Sequence, residues 1–336
     1  MTRTLTSLMG CGLLLAYGMA AQNLKVLVLS RTGHEAFLRM QAAVPNITLI
    51  EGDSTKVATQ LADADAAIGR FDVKLLSQAP KLKWVQWESA GVEEFTFLPG
   101  FAQTKFVLTN VKILQGPEIG DHALGLLLGL TRGIAFAARG GSQDWNQKAF
   151  SPIELRGKTA VIVGVGGIGT QIALRLNASG MTVIGVDPKE IPFNTYISRT
   201  VTPDRLDSVL PLADVVFISA PLTPKSRKMM GPRQFELMKP HSYFIAVSRG
   251  GLYDTDALVR ALDSKKLAGA GLDVTDPEPL PRDHPLWKFP NVLITPHIAG
   301  RSDGENARYE ALYIENLKRF AAGEPLVNVV DKAKGY

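Results

Sequence analysis

Short apolar runs alternate with helical stretches along most of the chain. Five β-rich runs occur in the first third, at residues 25–30, 46–51, 64–68, 84–86 and 105–108. Helical stretches at residues 34–42 and 54–62 separate the first of these runs. Strands that alternate with helices predict βα units, whose strands pair in parallel.

A second series of the same kind begins near residue 159. Its six runs are residues 159–164, 182–187, 214–219, 242–247, 268–273 and 292–295. Most of them are continuously apolar, which is typical of strands covered on both faces. Residues 116–140 predict one long helix between the two series, and residues 305–322 predict a helix after the second. The pattern therefore predicts an α/β protein with two doubly wound parallel sheets.

Composition supports a globular protein with about two domains. The chain has 336 residues, of which 46% are hydrophobic and 21% charged, so wholesale disorder is excluded. The net charge is only +5, and the sequence contains no run of five like charges, so no nucleic-acid partner is expected. One cysteine, Cys11, excludes an intrachain disulfide and a cysteine-based zinc site, and no other metal-ligand spacing occurs.

The first 21 residues form a separate segment. Residues 1–7 carry one Arg and no acid, residues 8–21 carry no charge, and Gly18 and Ala20 are small. This pattern is typical of a secretory signal peptide, the alternative being a simple N-terminal extension. A working signal would place the protein in the periplasm or outside the cell; otherwise it would be cytoplasmic. No later stretch is long and apolar enough to predict a membrane span.

A glycine-rich turn carries the first chemical signal. Gly164, Gly166 and Gly169 form a GxGxxG pattern between the strand at residues 159–164 and the helix predicted at residues 170–179. The first glycine allows a tight turn, the second allows backbone to approach a pyrophosphate, and the third allows close helix–strand packing. The helix N-terminus then presents N–H groups to the anion. The turn predicts a dinucleotide site.

The next strand ends on Asp187, 18 residues after Gly169. A carboxylate at this point can accept both ribose hydroxyls and repels a 2′-phosphate. The sequence therefore favours NAD over NADP, although Lys189 nearby leaves NADP open.

Other polar residues follow the later strands. Arg249, Asp273 and His297 come at or just after successive strand ends, and Glu278 lies in the loop after Asp273. An Arg can hold a carboxylate through paired N–H bonds, and a His can move a proton near neutral pH. A carboxylate beside the His favours the imidazolium and selects its tautomer. Since ligands of open α/β sheets bind at the carboxyl ends of strands, these residues predict a hydride-transfer site.

Five ordered motifs make the chain resemble the D-isomer-specific 2-hydroxyacid dehydrogenases, which include glyoxylate/hydroxypyruvate reductases. The motifs are GVGGIGTQIA, SAPLTPKSRKMM, KPHSYFIAVSRGGLYDTDAL, GLDVTDPEPLPRDHPLW and NVLITPHIAG. The likeness runs from about residue 25 to residue 330. It implies an NAD-dependent enzyme that interconverts a small D-2-hydroxy acid and its 2-oxo acid.

The resemblance also implies roles for single residues. Arg249 would bind the carboxylate and carbonyl of the 2-oxo acid, His297 would protonate the carbonyl oxygen, and Glu278 would pair with His297. Asp273 would hold the nicotinamide carboxamide. Further cofactor contacts would come from Gly167 and Ile168 at the pyrophosphate, Asp187 at the ribose, Ala220, Val247 and Ser248 along the cleft, and Gly300 beside the nicotinamide. The substrate loop would be Ser89, Ala90 and Gly91.

The implied architecture is two Rossmann-like domains. Residues 22–115 and 304–336 would form a flavodoxin-like substrate domain, with the NAD-binding domain of residues 116–303 inserted between them. The helix at residues 116–140 would be a hinge, with His122 as a structural residue, and the region 116–150 would form a homodimer surface.

Two kinds of alternative remain. A dehydrogenase of the same fold could act on phosphite, formate or 3-phosphoglycerate, although the chain leaves no room for the regulatory domain common in 3-phosphoglycerate dehydrogenases. A non-catalytic protein that senses NADH would belong to another class. The full set of Arg249, Glu278 and His297 favours catalysis.

Overall fold

A computed structural model describes residues 23–336, and the predicted signal segment at residues 1–21 lies outside the described residues. The first sheet has five parallel strands in the order β2-β1-β3-β4-β5. They are β1 Lys25–Leu29, β2 Thr48–Glu51, β3 Ala66–Gly69, β4 Trp84–Trp87 and β5 Val107–Thr109. This strand order is the flavodoxin-like one.

The second sheet has seven parallel strands in the order β12-β11-β10-β9-β6-β7-β8. They are β6 Thr159–Val163, β7 Thr182–Val186, β8 Arg199–Val201, β9 Val215–Ile218, β10 Ser242–Ala246, β11 Leu267–Leu272 and β12 Val292–Ile294. The order reverses between β6 and β9, which is the Rossmann arrangement and opens a crevice at that point. The sequence did not predict β8, because this edge strand has only three residues and no apolar run.

Helices surround both sheets. They are α1 His34–Ala43, α2 Val57–Asp63, α3 Val73–Gln78, α4 Glu93–Thr96, α5 Gly116–Thr131, α6 Ile134–Phe136, α7 Gly167–Ala178, α8 Leu206–Val209, α9 Pro232–Leu237, α10 Thr255–Asp263 and α11 Glu305–Ala322. Both sheets carry a buried apolar cluster on each face, as the continuous apolar runs predict.

The chain returns to the first sheet after completing the second. Tyr313 and Leu317 of α11 are buried with Val26 and Trp84 of the first sheet. α5 instead packs on the second sheet, where Leu127 joins the same apolar cluster as several of its strand residues. The predicted α/β fold, with one doubly wound unit inserted into a flavodoxin-like one, is confirmed.

The single long helix predicted over residues 116–140 is wrong. α5 ends at Thr131, and Gly133 adopts a left-handed conformation with φ of 71°. A left-handed residue interrupts the helical hydrogen bonds, and glycine adopts it without a steric penalty. Within residues 23–336 no single helix is long and apolar enough to cross a bilayer. Gly116–Thr131 and Ile134–Gly141 reach that length only together, with a bend of 74° between them.

Candidate active site

The centre of the site is a pair formed by His297 and Glu278. His297 follows β12, and its Nδ1 lies 2.8 Å from Oε2 of Glu278. The other oxygen of Glu278, Oε1, accepts the backbone N–H of Thr275 at 3.0 Å. These contacts orient the imidazole so that Nε2 lies on the ring edge away from Glu278. Both side chains stay reachable, with 44% of His297 and 38% of Glu278 exposed.

The surroundings of Glu278 keep it ionised. Partial burial alone would raise the pKa of Glu278. The hydrogen bonds from His297 and Thr275, with the positive charges of His297 and Arg249, outweigh burial and lower this pKa below its ordinary value. An ionised carboxylate beside Nδ1 favours a hydrogen on that nitrogen and can balance a positive charge on the ring.

Asp273 anchors the loop that carries His297. Its carboxylate accepts the hydroxyl of Thr295 at 2.6 Å and the N–H groups of Ile298 and Ala299 at 3.0 and 2.9 Å. The side chain of Asp273 is 1% exposed, and its backbone carbonyl accepts the N–H of His297. These bonds position the His297 loop, a role that the sequence did not predict. The contact of Asp273 with a nicotinamide carboxamide stays a prediction.

His122 links the same loop to α5. Its Nε2 lies 2.9 Å from Oγ1 of Thr295 and 3.6 Å from the carboxylate of Asp273. The contact joins α5 to the loop that presents His297. This is a structural role of the kind that the sequence predicted for His122.

Arg249 lies three residues after the end of β10, directly after Ser248. Its Nη1 donates to the carbonyl of Ser248 at 2.7 Å. The next residue, Gly250, packs so closely that a Cβ there would collide with the carbonyl group of Thr275. Thr275 in turn donates to Glu278, so the strand ends that carry Arg249, Glu278 and His297 form one continuous contact chain. β10, β11 and β12 are adjacent in the sheet, so the residues that follow them lie at the same end of the sheet, and the positive charge of Arg249 acts on Glu278.

The loop Ser89–Ala90–Gly91 of the first sheet faces Arg249. A Cβ on Gly91 would collide with the guanidinium of Arg249, which shows how closely the loop approaches that side chain. The side-chain amide of Asn110 holds the loop by donating to the carbonyl of Ala90 at 2.7 Å. Within residues 23–336 the N–H groups of Ala90 and Gly91 donate no hydrogen bond to protein. Unpaired N–H groups beside a guanidinium are suited to bind a carboxylate.

Sequence reasoning missed Glu93, which lies two residues after Gly91. Its Oε1 is 2.8 Å from Nε of Arg249, and its Oε2 is 3.4 Å from Nη2. Both side chains are mostly buried, with 25% of Arg249 and 22% of Glu93 exposed. An acidic residue two positions after the predicted substrate loop was the available signal.

The glycine-rich turn has the shape that a pyrophosphate requires. Gly164 has a φ of 90°, and a Cβ there would collide with the backbone of Ala220. A Cβ on Gly169 would collide with the carbonyl oxygen of Gly164, which shows the close packing of α7 on β6. A Cβ on Gly166 would meet no atom within 4 Å, so the outer face of the turn is open. The turn therefore fits the dinucleotide predicted for it.

Gly167 and Ile168 begin α7, three residues earlier than predicted. The first N–H groups of a helix have no intrahelical acceptor and attract anions. Asp187 follows β7, where its two oxygens accept the N–H groups of Val165 at 2.8 Å and of Lys189 at 2.9 Å. The carboxylate is thus held beside the glycine-rich turn, where a ribose next to a bound pyrophosphate would lie.

The remaining predicted cofactor residues border the same crevice. Ala220 lies against Gly164, and Gly300 accepts a hydrogen bond from Gln115 on its carbonyl at 3.1 Å. Val247 and Ser248, which lie between β10 and Arg249, are 3% and 6% exposed, and the hydroxyl of Ser248 donates to the carbonyl of Ile218 in β9 at 3.3 Å. Their contact with the cofactor stays a prediction. Within the range 23–336 no group of three or more His, Cys, Asp or Glu side chains is placed to hold a metal ion.

The chain matches the family described as "D-isomer specific 2-hydroxyacid dehydrogenase, NAD binding domain" over residues 124–299. It is 33% identical to glyoxylate reductase from Thermofilum pendens over 269 residues, which cover 78% of this chain and 79% of that protein. It is 30% identical to D-3-phosphoglycerate dehydrogenase from Methanocaldococcus jannaschii over 307 residues. That match covers 89% of this chain and only 58% of the archaeal protein.

A solved structure of similar form is a D-isomer-specific 2-hydroxyacid dehydrogenase from Xanthobacter autotrophicus Py2, in complex with NADPH and MES. It is 25% identical to this chain, with a TM-score of 0.83, and the match covers 94% of this chain and 100% of that one. Fold and site together define a two-domain, dinucleotide-dependent oxidoreductase.

The chain belongs to the family of D-isomer-specific 2-hydroxyacid dehydrogenases. The predicted family, the NAD-type cofactor and the oxidoreductase class, which interconverts a 2-hydroxy acid and its 2-oxo acid, are confirmed at the level of the family.

Proposed function

We propose that this protein is an NAD(H)-dependent reductase of a small, unbranched 2-oxo acid, with glyoxylate and hydroxypyruvate as the first candidates. The observation that carries this proposal is the 2.8 Å contact between His297 and Glu278 at the strand end next to Arg249. The relative from Thermofilum pendens, named a glyoxylate reductase, supports the choice of substrate.

Side chains of this protein supply the positive charge that binds the substrate and the proton that the carbonyl oxygen takes up. Reduced nicotinamide, when bound, supplies a hydride to the 2-oxo carbon. Arg249 and the N–H groups of Ala90 and Gly91 bind the substrate carboxylate and orient the carbonyl group. His297 donates the proton on Nε2 to the carbonyl oxygen, and Glu278 balances the charge of the ring through Nδ1. In the oxidative direction, Nε2 takes the proton back from the hydroxyl group.

The groups that hold the dinucleotide are also proposals. Gly164, Gly166 and Gly169, with the first N–H groups of α7, would bind the pyrophosphate. Asp187 would accept the ribose hydroxyls, which favours NAD(H) over NADP(H).

Four features of organisation are proposed from the sequence and its resemblance. Residues 22–115 and 304–336 form the substrate domain, and residues 116–303 form the NAD-binding domain. The region 116–150 mediates a homodimer, and exposed Ile134 and Trp145 in that region support this. Residues 1–21 act as a signal peptide, which would place the mature protein in the periplasm or outside the cell.

A substrate panel with both cofactors tests the proposed reaction. Glyoxylate, hydroxypyruvate and longer 2-oxo acids are assayed with NADH or NADPH. 3-Phosphoglycerate, phosphite and formate, which donate a hydride, are assayed with NAD⁺ or NADP⁺, and every reaction is followed by the change in nicotinamide absorbance. We expect the highest kcat/KM with NADH and a short 2-oxo acid. Turnover only of phosphite, formate or 3-phosphoglycerate would contradict the proposal. Tight NADH binding without turnover of any panel member would support an NADH sensor instead.

A further inference from the structure

Residues 331–336, named here the clasp segment, connect the two sheets at a point that the proposed reaction does not use. The segment is held by its own hydrogen bonds. Oδ1 of Asp331 accepts the N–H groups of Ala333 and Lys334 at 3.0 and 3.1 Å, and the carbonyl of Asp331 accepts the N–H of Gly335 at 2.8 Å. The N–H of Asp331 donates to the carbonyl of Tyr336 at 3.1 Å, which closes the loop.

The clasp segment is anchored to the first sheet. Val330, just before it, donates its N–H to the carbonyl of Leu108 in β5 at 2.8 Å. The ammonium of Lys332 donates to the carbonyl and hydroxyl oxygens of Thr104 at 2.7 and 2.9 Å, and to the carbonyl of Phe106. It also lies 4.8 Å from the centre of the Phe106 ring. These contacts attach the segment to the domain that carries the substrate loop.

The other end of the clasp segment touches the second sheet's domain. Gly335 is buried with a φ of 79°, and a Cβ there would come within 2.6 Å of Thr96 and 3.7 Å of Thr223. Thr96 belongs to α4, whereas Thr223 lies in the loop after β9 that also holds Ala220 against the glycine-rich turn. Gly335 therefore lies between the two domains beside the dinucleotide crevice.

Tyr336 meets Lys189 at the proposed ribose position. The ammonium of Lys189 lies 4.5 Å from the centre of the Tyr336 ring, within the range of a cation–π contact. The N–H of Lys189 donates to Asp187, the residue proposed to accept the ribose hydroxyls. Burial raises the pKa of Tyr336, and the negative charge of Asp187 adds to this effect.

A second cation lies in the same region. The ammonium of Lys112 donates to the carbonyl of Val329 at 2.7 Å. Burial lowers the pKa of Lys112, and the positive charge of Lys189 lowers it further. Both lysines are thus held by groups in or beside the clasp segment, Lys112 by a carbonyl and Lys189 by an aromatic ring.

We propose that Tyr336 holds the ammonium of Lys189 at the outer wall of the adenosine-ribose subsite, and so favours a ribose 2′-hydroxyl over a 2′-phosphate. A 2′-phosphate needs a cation that can turn toward it, and Lys189 is the cation nearest to Asp187 along the chain. While the ammonium of Lys189 is bound to the Tyr336 ring, it does not turn toward the 2′-phosphate and stabilises that phosphate less. This inference rests on the proposed dinucleotide site and names two residues that determine its specificity.

Equilibrium binding of NADH and NADPH tests the inference without any turnover. Dissociation constants are measured by quenching of protein fluorescence for wild type, Tyr336→Ala and Tyr336→Phe. A cation–π contact at a partly exposed site corresponds to a change of about two- to fivefold. We expect the ratio of Kd for NADPH to Kd for NADH to fall by about this factor in Tyr336→Ala. The Phe variant keeps the ring and should keep the wild-type ratio.

The Lys189→Met background separates a contact through Lys189 from a direct effect of Tyr336. In that background, Tyr336→Ala should no longer change the ratio. An unchanged ratio in the single Tyr336→Ala variant, a similar shift in both backgrounds, or tighter binding of both dinucleotides would overturn the inference. Tighter binding of both would mean that the ring blocks the crevice. Failure of wild type to bind either dinucleotide would instead refute the proposed function, so the two failures are distinguishable.

Discussion

Glu93 forms an ion pair with Arg249 across the cleft, with 2.8 Å between Oε1 and Nε. Glu93 belongs to α4 of the first sheet's domain, and Arg249 follows β10 of the second. The guanidinium proposed to bind the substrate carboxylate thus already has a carboxylate partner of the protein's own. Substrate has to share or displace that partner, so we expect Glu93 to lower the affinity of the site for the substrate carboxylate.

The first prediction concerns this competition. Glu93→Gln keeps the shape of the side chain and removes its charge, which leaves Arg249 freer to bind a 2-oxo acid. We expect KM for the substrate to fall by about two- to fivefold, the range of a partly exposed ion pair, with a smaller change in kcat. Steady-state kinetics with saturating NADH measures this. Glu94→Gln is the matched control, because Glu94 pairs with Arg70 instead. A higher KM in Glu93→Gln would show that the pair positions Arg249 rather than competing for it.

The second prediction concerns the proton donor. His297→Ala removes the imidazole that Glu278 orients, so kcat should fall by about 10²–10⁴-fold. The Kd for NADH should stay close to that of wild type, because the glycine-rich turn is untouched. His241→Ala serves as control, since His241 directly precedes β10, at the end of that strand opposite to the site. Near wild-type turnover in His297→Ala would remove His297 from the proposed mechanism.

The third prediction concerns Arg249, the residue proposed to bind the substrate carboxylate. Arg249→Ala should raise KM for the 2-oxo acid and lower kcat, because the charge-assisted hydrogen bonds are lost. Such bonds contribute about 1.5–3 kcal/mol, which corresponds to a loss in kcat/KM of about 10- to 150-fold. Arg249→Lys keeps the charge but lacks the planar guanidinium, so its kcat/KM should lie between those of wild type and Arg249→Ala. Arg233→Ala, which breaks an exposed pair with Asp207, should leave the kinetics unchanged. Equal kcat/KM in wild type and Arg249→Ala would refute the assignment.

The fourth prediction concerns pH and stability. The pKa of Glu278 is lowered in the folded state from its ordinary value of 4.5, so folding stabilises the ionised form. This contribution is fully present above the unfolded-state pKa and is lost as pH falls through the lower folded-state pKa. Urea unfolding of wild type and Glu278→Gln, from about pH 6 to about pH 3, should give a stability difference that shrinks toward acid. Glu190→Gln, an exposed substitution, is the control. A difference that grows toward acid would contradict the direction of the shift.

Local sequence was sufficient for much of the fold and for the cofactor turn. A parallel strand covered on both faces needs a continuous apolar run, and most of the predicted runs became strands with ends shifted by one or two residues. Gly164 and Gly169 meet requirements set by one neighbouring loop and by the turn itself, and Gly166 leaves the outer face of the turn open, so the glycine spacing alone indicated the turn.

Contacts between distant segments were decided by the tertiary structure alone. Glu93 and Arg249 are 156 residues apart, and no local pattern links them. Tyr336 and Lys189 likewise lie far apart in the chain, and their contact depends on the pairing of Val330 with β5, which positions the clasp segment. The sequence by itself determined the two parallel sheets, the dinucleotide turn and the residue types at the strand ends, because hydrophobic periodicity and backbone geometry act over a few residues. The sequence did not determine which positively charged side chains are available to bind a ligand. That depends on how whole elements pack, and only the tertiary structure decides it.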